Sequence, residues 1–294
     1  MRGERVPFAP RTGSIAASDS RQHAPLPVDV LAGCDRSTRR SRSHQREDLT
    51  VKIALVTGAN RGIGLAAARR LAREWGHVIV AARKSDAGTE AADRLSGEGF
   101  PVSSLTMDVT DPASVRAGAA EVTERFGRLD LLVNNAGILP EAANADPKEV
   151  LDLAMFEQTY ATNVLGPVAV MEAFLPLIRK SPAGRIVNVS STVGSLAHQT
   201  DPDSPWHSMI VPAYQSSKAA LNAITIVLSK ALADTSIKVT AVCPGWVQTD
   251  LAPGNKEQAP VPPEAAAEVI ARAAALSSAD ATGMFIDANG PVKW

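Results

Sequence analysis

Short apolar runs alternate with helical patterns along this chain, which predicts an α/β fold: a doubly wound parallel sheet with helices on both faces. Three observations carry that expectation. The first run, residues 51–57, passes through the turn Thr57-Gly58-Ala59-Asn60-Arg61-Gly62-Ile63-Gly64 into a helical pattern that ends near Trp75. Strand, glycine turn and helix make the opening half of a dinucleotide-binding unit. Similar runs recur at 77–82, 102–108, 129–134, 184–191, 237–242 and 283–287, and near-continuous apolar runs suit strands covered on both faces. Between them lie helical patterns at 113–126, 156–180, 213–233 and 264–276, with no internal repeat.

A chain of 294 residues is ample for one sizeable core. Its formal net charge of −1 gives no whole-surface attraction for nucleic acid. The two cysteines, Cys34 and Cys243, are too few for a metal framework and fit reduced thiols in the cytoplasm. No apolar run is expected to reach the roughly 18–20 residues of a membrane span. Residues 1–48 lack apolar periodicity and carry the basic stretch Arg36-Ser37-Thr38-Arg39-Arg40-Ser41-Arg42. They are expected to be a disordered extension, with residues 49–294 forming the single folded domain. The acidic residues Glu4, Asp19, Asp29, Asp35, Glu47 and Asp48 argue against a transit peptide there.

In the first turn Gly58 permits the tight bend, Gly62 lets backbone approach a pyrophosphate, and Gly64 lets the helix pack closely on the strand. Phosphates would sit at the helix N-terminus, where free N–H groups and the dipole favour negative charge. The second strand ends in Ala81-Ala82 and is followed by Arg83 and Lys84, where an NAD site would carry a carboxylate. Arg83, with Arg61 as a second cation, is expected to pair with a 2′-phosphate, so NADP(H) is expected over NAD(H). The other reading makes Arg83 and Lys84 a solvated loop. Asp108, followed by Val109, closes the third strand; it can accept from an adenine amino group or cap the helix that begins near Pro112. After the fourth strand, Asn135-Ala136-Gly137 offers small residues against which a cofactor can lie, while Asn134 is expected to stabilise the sheet centre.

Asn163 sits inside a long helical pattern, where a buried amide needs partners. Ser190 and Ser191 end the fifth strand, at the edge of the sheet where doubly wound folds bind ligands. Residues 197–211 are expected to be an irregular lid, their His and Asp residues lacking metal-ligand spacing. Tyr214 and Lys218, four apart on one helix, are neighbours, and the ammonium is expected to lower the phenol's pKa. Residues 249–263 are long and Pro/Gly-rich enough for a mobile substrate loop.

Taken together, these motifs are similar to those of the short-chain dehydrogenase/reductase family, closest in type to NADPH-dependent carbonyl reductases. They run in family order: Thr57-Gly58-x-x-x-Gly62-x-Gly64, Asp108, Asn134-Asn135-Ala136-Gly137, Asn163, Ser191, Tyr214-x-x-x-Lys218, and Pro244-Gly245-x-x-x-Thr249. The resemblance implies a Rossmann sheet of seven parallel strands in the order 3-2-1-4-5-6-7. It implies Tyr214 as general acid, Ser191 as the hydrogen-bond donor to the substrate oxygen, and Lys218 on the nicotinamide ribose, lowering the Tyr214 pKa. It implies Asn163 as the holder of a relay water. Gly58, Asn60, Arg61, Gly62, Ile63, Gly64, Arg83, Asp108, Val109, Asn135, Ala136, Gly137, Tyr214, Lys218, Pro244, Gly245, Val247 and Thr249 are its expected cofactor contacts. The segment from Ser191 to Tyr214 is longer than in simple members, so both a monomer and a homodimer stay open. The expected activity is reduction of a ketone or aldehyde with NADPH. The alternatives are NAD-linked alcohol oxidation and a catalytically idle NADP(H)-binding module.

Overall fold

The computed structural model describes residues 51–143, 150–277 and 279–294. These belong to one unit, residues 46–294. The expectation for residues 1–48 lies outside the described residues. Strand β1 (Ile53–Thr57) leads into helix α1 (Gly62–Ala72), β2 (His77–Ala82), α2 (Ser85–Gly97), β3 (Val102–Thr106) and α3 (Pro112–Phe126). β4 (Leu131–Asn134), α4 (Leu153–Tyr160), α5 (Gly166–Ile178), β5 (Arg185–Val189), α6 (Leu196–Thr200) and α7 (Pro212–Ala231) follow. β6 (Lys238–Val242), α8 (Asn255–Gln258), α9 (Pro263–Ala274), β7 (Met284–Asp287) and β8 (Gly290–Pro291) complete the chain.

The strands lie in the order β3-β2-β1-β4-β5-β6-β7-β8. The first seven are parallel, as expected; β8 is an added antiparallel strand paired with β7. It escapes the sequence pattern because it is two residues long. The Asp287 carboxylate makes its turn by accepting from the Asn289 and Gly290 N–H groups.

Every residue of β1 is buried. Alternate side chains point to opposite faces. Ala54 and Val56 pack with Leu71 of α1 and Ile270 of α9, whereas Ile53 and Leu55 pack with Val122 of α3 and Phe174 of α5. Burying a side chain such as Leu55 or Phe174 contributes about 1.5–3 kcal/mol. Two cores on one sheet hold the carboxyl ends of β1, β4, β5 and β6 at one edge.

The long helix expected over 156–180 is interrupted. Residues Ala161–Leu165 form a π-helical turn between α4 and α5, with the Gly166 N–H donating to the Ala161 carbonyl. Pro167 has no N–H to offer the carbonyl of Asn163 four residues earlier, so the regular ladder cannot continue there. The stretch Leu153–Ile178 is also long and apolar enough to cross a membrane, which corrects the expectation that no run is. In the fold it packs Val170, Met171, Phe174, Leu177 and Ile178 into the core.

Two loops are more ordered than their composition suggests. The segment after Ser191 forms α6, and its turns close on themselves: His198 Nδ1 pairs with Ser204 Oγ, and His207 Nδ1 with the Gln199 carbonyl. In the 249–263 segment, α8 forms and Val247 bridges to Val261. The cap of α3 is Asp111, whose carboxylate accepts from the Ala113 N–H, so the capping alternative for Asp108 is corrected. Asp108 instead accepts from the Thr110 N–H and hydroxyl.

Candidate active site

The glycine turn is built by tertiary contacts at the end of β1. Gly58 has φ 63°, and a Cβ there would meet the Ala136 Cα at 3.0 Å. Gly64 allows no Cβ either, with the Asn135 Nδ2 and the Gly58 carbonyl both 2.5 Å from where it would stand. The Thr57 hydroxyl accepts from the Asn135 and Ala136 N–H groups, each at 3.0 Å. The Asn135 amide donates to the Thr57 carbonyl at 2.9 Å and to the Gly58 carbonyl at 3.3 Å. Its side chain therefore braces the turn, leaving Ala136 and Gly137 as the open backbone beside it. Sequence reasoning missed the bracing role of Thr57, because its partners are nearly eighty residues away.

Arg61, the N-cap of α1, makes no side-chain cap. The first N–H groups of α1 thus have no intrahelical acceptor and face the turn. This is a donor set for an anion, beside a glycine that keeps the approach clear. The residues fit a dinucleotide pyrophosphate on that ground. Thr249 closes the far side, with its Cγ2 3.3 Å from where a Gly62 Cβ would stand. Pro244, Gly245 (φ 88°) and Val247 lead into this segment from β6. Asn60 and Ile63 are half-buried in the turn. Val109 packs against Gly166, where a Cβ would lie 3.0 Å from the Val109 Cγ2.

The two cations expected at the 2′-phosphate differ. Arg83 is exposed directly after β2. Arg61 is turned toward Asp250, 3.5 Å away, and Asp250 also pairs with Lys256 at 2.5 Å. A second cation is thus shared with the 249–263 segment, a contact that no local pattern reveals.

At the ends of β4 and β5 the structure brings Asn163, Ser191, Tyr214 and Lys218 together. The Ser191 hydroxyl stands beside the Tyr214 phenol, close enough to favour its ionised form. The Lys218 Nζ lies 5.5 Å from the centre of the Tyr214 ring and donates to the Val189 carbonyl at 2.9 Å. A Cβ on Gly137 would stand 3.6 Å from that Nζ and 3.4 Å from the Asn163 Oδ1, so glycine keeps this space open. Asn163 is fully buried. It grips Ile138 twice, accepting from its N–H and donating to its carbonyl, each at 2.9 Å, and donates to the Ser217 hydroxyl at 3.2 Å. Ser190 points away, donating to Asn222 Oδ1 at 2.6 Å, so the two serines are separated by their partners. Asn134 links β4 to Asn188 of β5, at the sheet centre as expected.

One electrostatic expectation is overturned. Burial pushes the Tyr214 phenol well above its ordinary value; the nearby Cys243 adds to the rise and the Ser191 hydroxyl opposes it. Burial also lowers Lys218 to about 8, with Cys243 acting against the fall. Desolvation disfavours the charged form of either group. For Tyr214 it is the largest cause, ahead of every neighbouring group.

Fold and site together define the class: an oxidoreductase built on a dinucleotide-binding sheet. Residues 52–260 match the family model described as short chain dehydrogenase. The chain is 33% identical over 255 residues to (+)-neomenthol dehydrogenase of Arabidopsis thaliana, covering 69% of this chain and 85% of that one. The NADPH-bound carbonyl reductase from chicken fatty liver shares the fold at TM-score 0.70 and 32% identity, over 83% of this chain and 99% of that one. A variant of actinorhodin polyketide ketoreductase with NADPH gives 0.67 and 30%, over 82% and 96% of the two chains. The chain belongs to the short-chain dehydrogenase/reductase family of NAD(P)-dependent oxidoreductases.

Proposed function

We propose that this protein reduces a ketone or aldehyde to an alcohol with NADPH, and that Tyr214 is the general acid. The observation that carries the reading is the buried Tyr214 phenol, kept protonated by its surroundings, beside Ser191 and flanked by Lys218. A protonated phenol is the form a reduction needs.

NADPH, when bound, supplies the hydride to the carbonyl carbon. The Ser191 and Tyr214 hydroxyls hold the carbonyl oxygen. Tyr214 gives up its proton as negative charge develops there, and the Lys218 ammonium offsets the phenolate left behind in a buried site. Asn163 fixes the loop at Ile138 and, through Ser217, the helix carrying Tyr214. The turn from Gly58 to Gly64, the backbone at Ala136 and Gly137, and Thr249 hold the cofactor. Arg83 takes the 2′-phosphate, and the NADPH carried by two solved relatives supports that choice. Exposed Leu196, Met209 and Ile210 lie on residues 195–212, which with 249–263 are expected to shape the substrate pocket, and support a weakly polar substrate. The third such segment, 138–150, lies partly outside the described residues. The reading keeps a cytoplasmic location and a monomer or homodimer.

The test is Tyr214→Phe. Cofactor affinity, read by nicotinamide fluorescence, is expected to stay within about twofold while kcat falls by about 10²–10⁴. Retained turnover removes Tyr214 from the acid role. Tight NADPH binding by the unmodified protein without turnover of any of a broad set of carbonyls favours the idle-module reading.

A further inference from the structure

The first turn of α7 has no cap of its own. Val211 at the N-cap position makes no side-chain cap, and Pro212 at the first helical position has no N–H. The Gln215 N–H returns to the Val211 carbonyl. That leaves the amides of Ala213 and Tyr214 without an intrahelical acceptor. Both donate to one carboxylate: Ala213 N–H to Glu141 Oε1 at 2.9 Å, and Tyr214 N–H to Glu141 Oε2 at 2.8 Å. Glu141 is remote in sequence and sits in the 3-10 turn Pro140–Ala143. Three residues before it is Ile138, which Asn163 grips. A Ser, Thr, Asp or Asn at position 211 would have met the same two donors locally. The chain instead takes its acceptor from the loop that carries Ala136 and Gly137. The other flank is fastened by Gln215, whose Oε1 accepts from the Val211 N–H at 3.0 Å and whose Nε2 donates to the Met209 carbonyl at 3.2 Å.

We propose that Glu141 is a positioning residue. Its bidentate hold on the Ala213 and Tyr214 N–H groups fixes the loop after β4 to the backbone of the proton donor, and so sets where the Tyr214 phenol stands relative to a carbonyl held over that loop. The proposal rests on the reading of Tyr214 as general acid. A misplacement of about 1 Å can cost up to about a hundredfold in rate.

Glu141→Ala is expected to lower kcat about tenfold. NADPH affinity is expected to hold within about twofold, since Glu141 bonds only backbone N–H groups of α7 and the Ala136 N–H stays held by the Thr57 hydroxyl, and amide exchange at Tyr214 should speed up. Glu141→Gln should fall between, because its amide offers one acceptor and sets an NH₂ against the second N–H. The deciding variant adds Val211→Asp to Glu141→Ala. A local cap restores the helix end without restoring the tie to the loop, so Tm should recover and kcat should not. Wild-type kcat in Glu141→Ala, or full recovery of kcat on adding Val211→Asp, overturns the proposal and leaves Glu141 a helix cap. If the added aspartate does not raise Tm, the kcat and affinity of the single variant decide; if Glu141→Ala does not fold, Glu141→Gln is read by the same measures. Tyr214→Phe run in parallel separates the two readings. Turnover in that variant sinks the general-acid reading, whereas an inactive Tyr214→Phe beside a fully active Glu141→Ala sinks the positioning role alone.

Discussion

Tyr214 and Lys218 are driven in opposite directions by one cause. Burial disfavours charge, so the phenol holds its proton while the ammonium comes down to about 8. Below about 8 Lys218 is charged and can offset the phenolate left by proton transfer; above it the lysine is neutral and that support is lost. The reductive kcat/KM is therefore expected to be level through neutral pH and to fall as pH rises past about 8, approaching tenfold per unit. A pH–rate profile at fixed NADPH measures it. Lys218→Arg tests the assignment, since a guanidinium keeps its charge throughout this range. A limb that stays near 8 in that variant belongs to another group. The adjacency of the two side chains was legible from their spacing in the sequence. The direction of the phenol's shift was not, because burial belongs to the assembled fold and the partner that holds the ammonium, the Val189 carbonyl, comes from another element.

At the scale of elements, the site depends on how strand ends are joined. Thr57 closes β1 and carries the start of the loop after β4 on its hydroxyl. Asn135 N–H has a second acceptor in the Val133 carbonyl, but for Ala136 N–H the Thr57 hydroxyl is the acceptor seen. Thr57→Val keeps the side chain's shape and leaves that half-buried donor without a partner. It is expected to cost about 1–3 kcal/mol, read from the urea midpoint at unchanged m-value. NADPH affinity should weaken with it, since Ala136 and Gly137 are the backbone this bond holds in place. An unchanged midpoint would show that the loop keeps its position without Thr57. The π turn at Asn163 belongs to the same scale. The apolar periodicity from 156 to 180 reads as one helix, and only the pairing of Asn163 with Ile138, together with Pro167 four residues later, shows why the ladder widens there.

At the scale of the whole molecule, the seven parallel strands were readable because a strand covered on both faces must be apolar along its length, and β1, β4 and β5 are fully buried. What pattern cannot carry is contact between distant segments. Glu141 meets a helix remote from it in sequence, and Arg61 meets Asp250 across the fold. That second contact bears on cofactor choice, since it leaves Arg83, with Lys84 beside it, exposed at the end of β2. A ligand that binds only the folded chain raises its stability by about 2.7 kcal/mol at a hundred times its Kd. For a domain of this size that is a Tm rise of roughly 5–10 °C. At the same concentration, NADH bound tenfold more weakly should give about half of that rise. Arg83→Ala is expected to bring the NADPH shift down to the NADH level while leaving the NADH shift where it was, because the lost charge faces only the 2′-phosphate. Equal shifts with both cofactors in the unmodified protein would make Arg83 and Lys84 a solvated loop and move NAD-linked alcohol oxidation ahead of NADPH-dependent reduction.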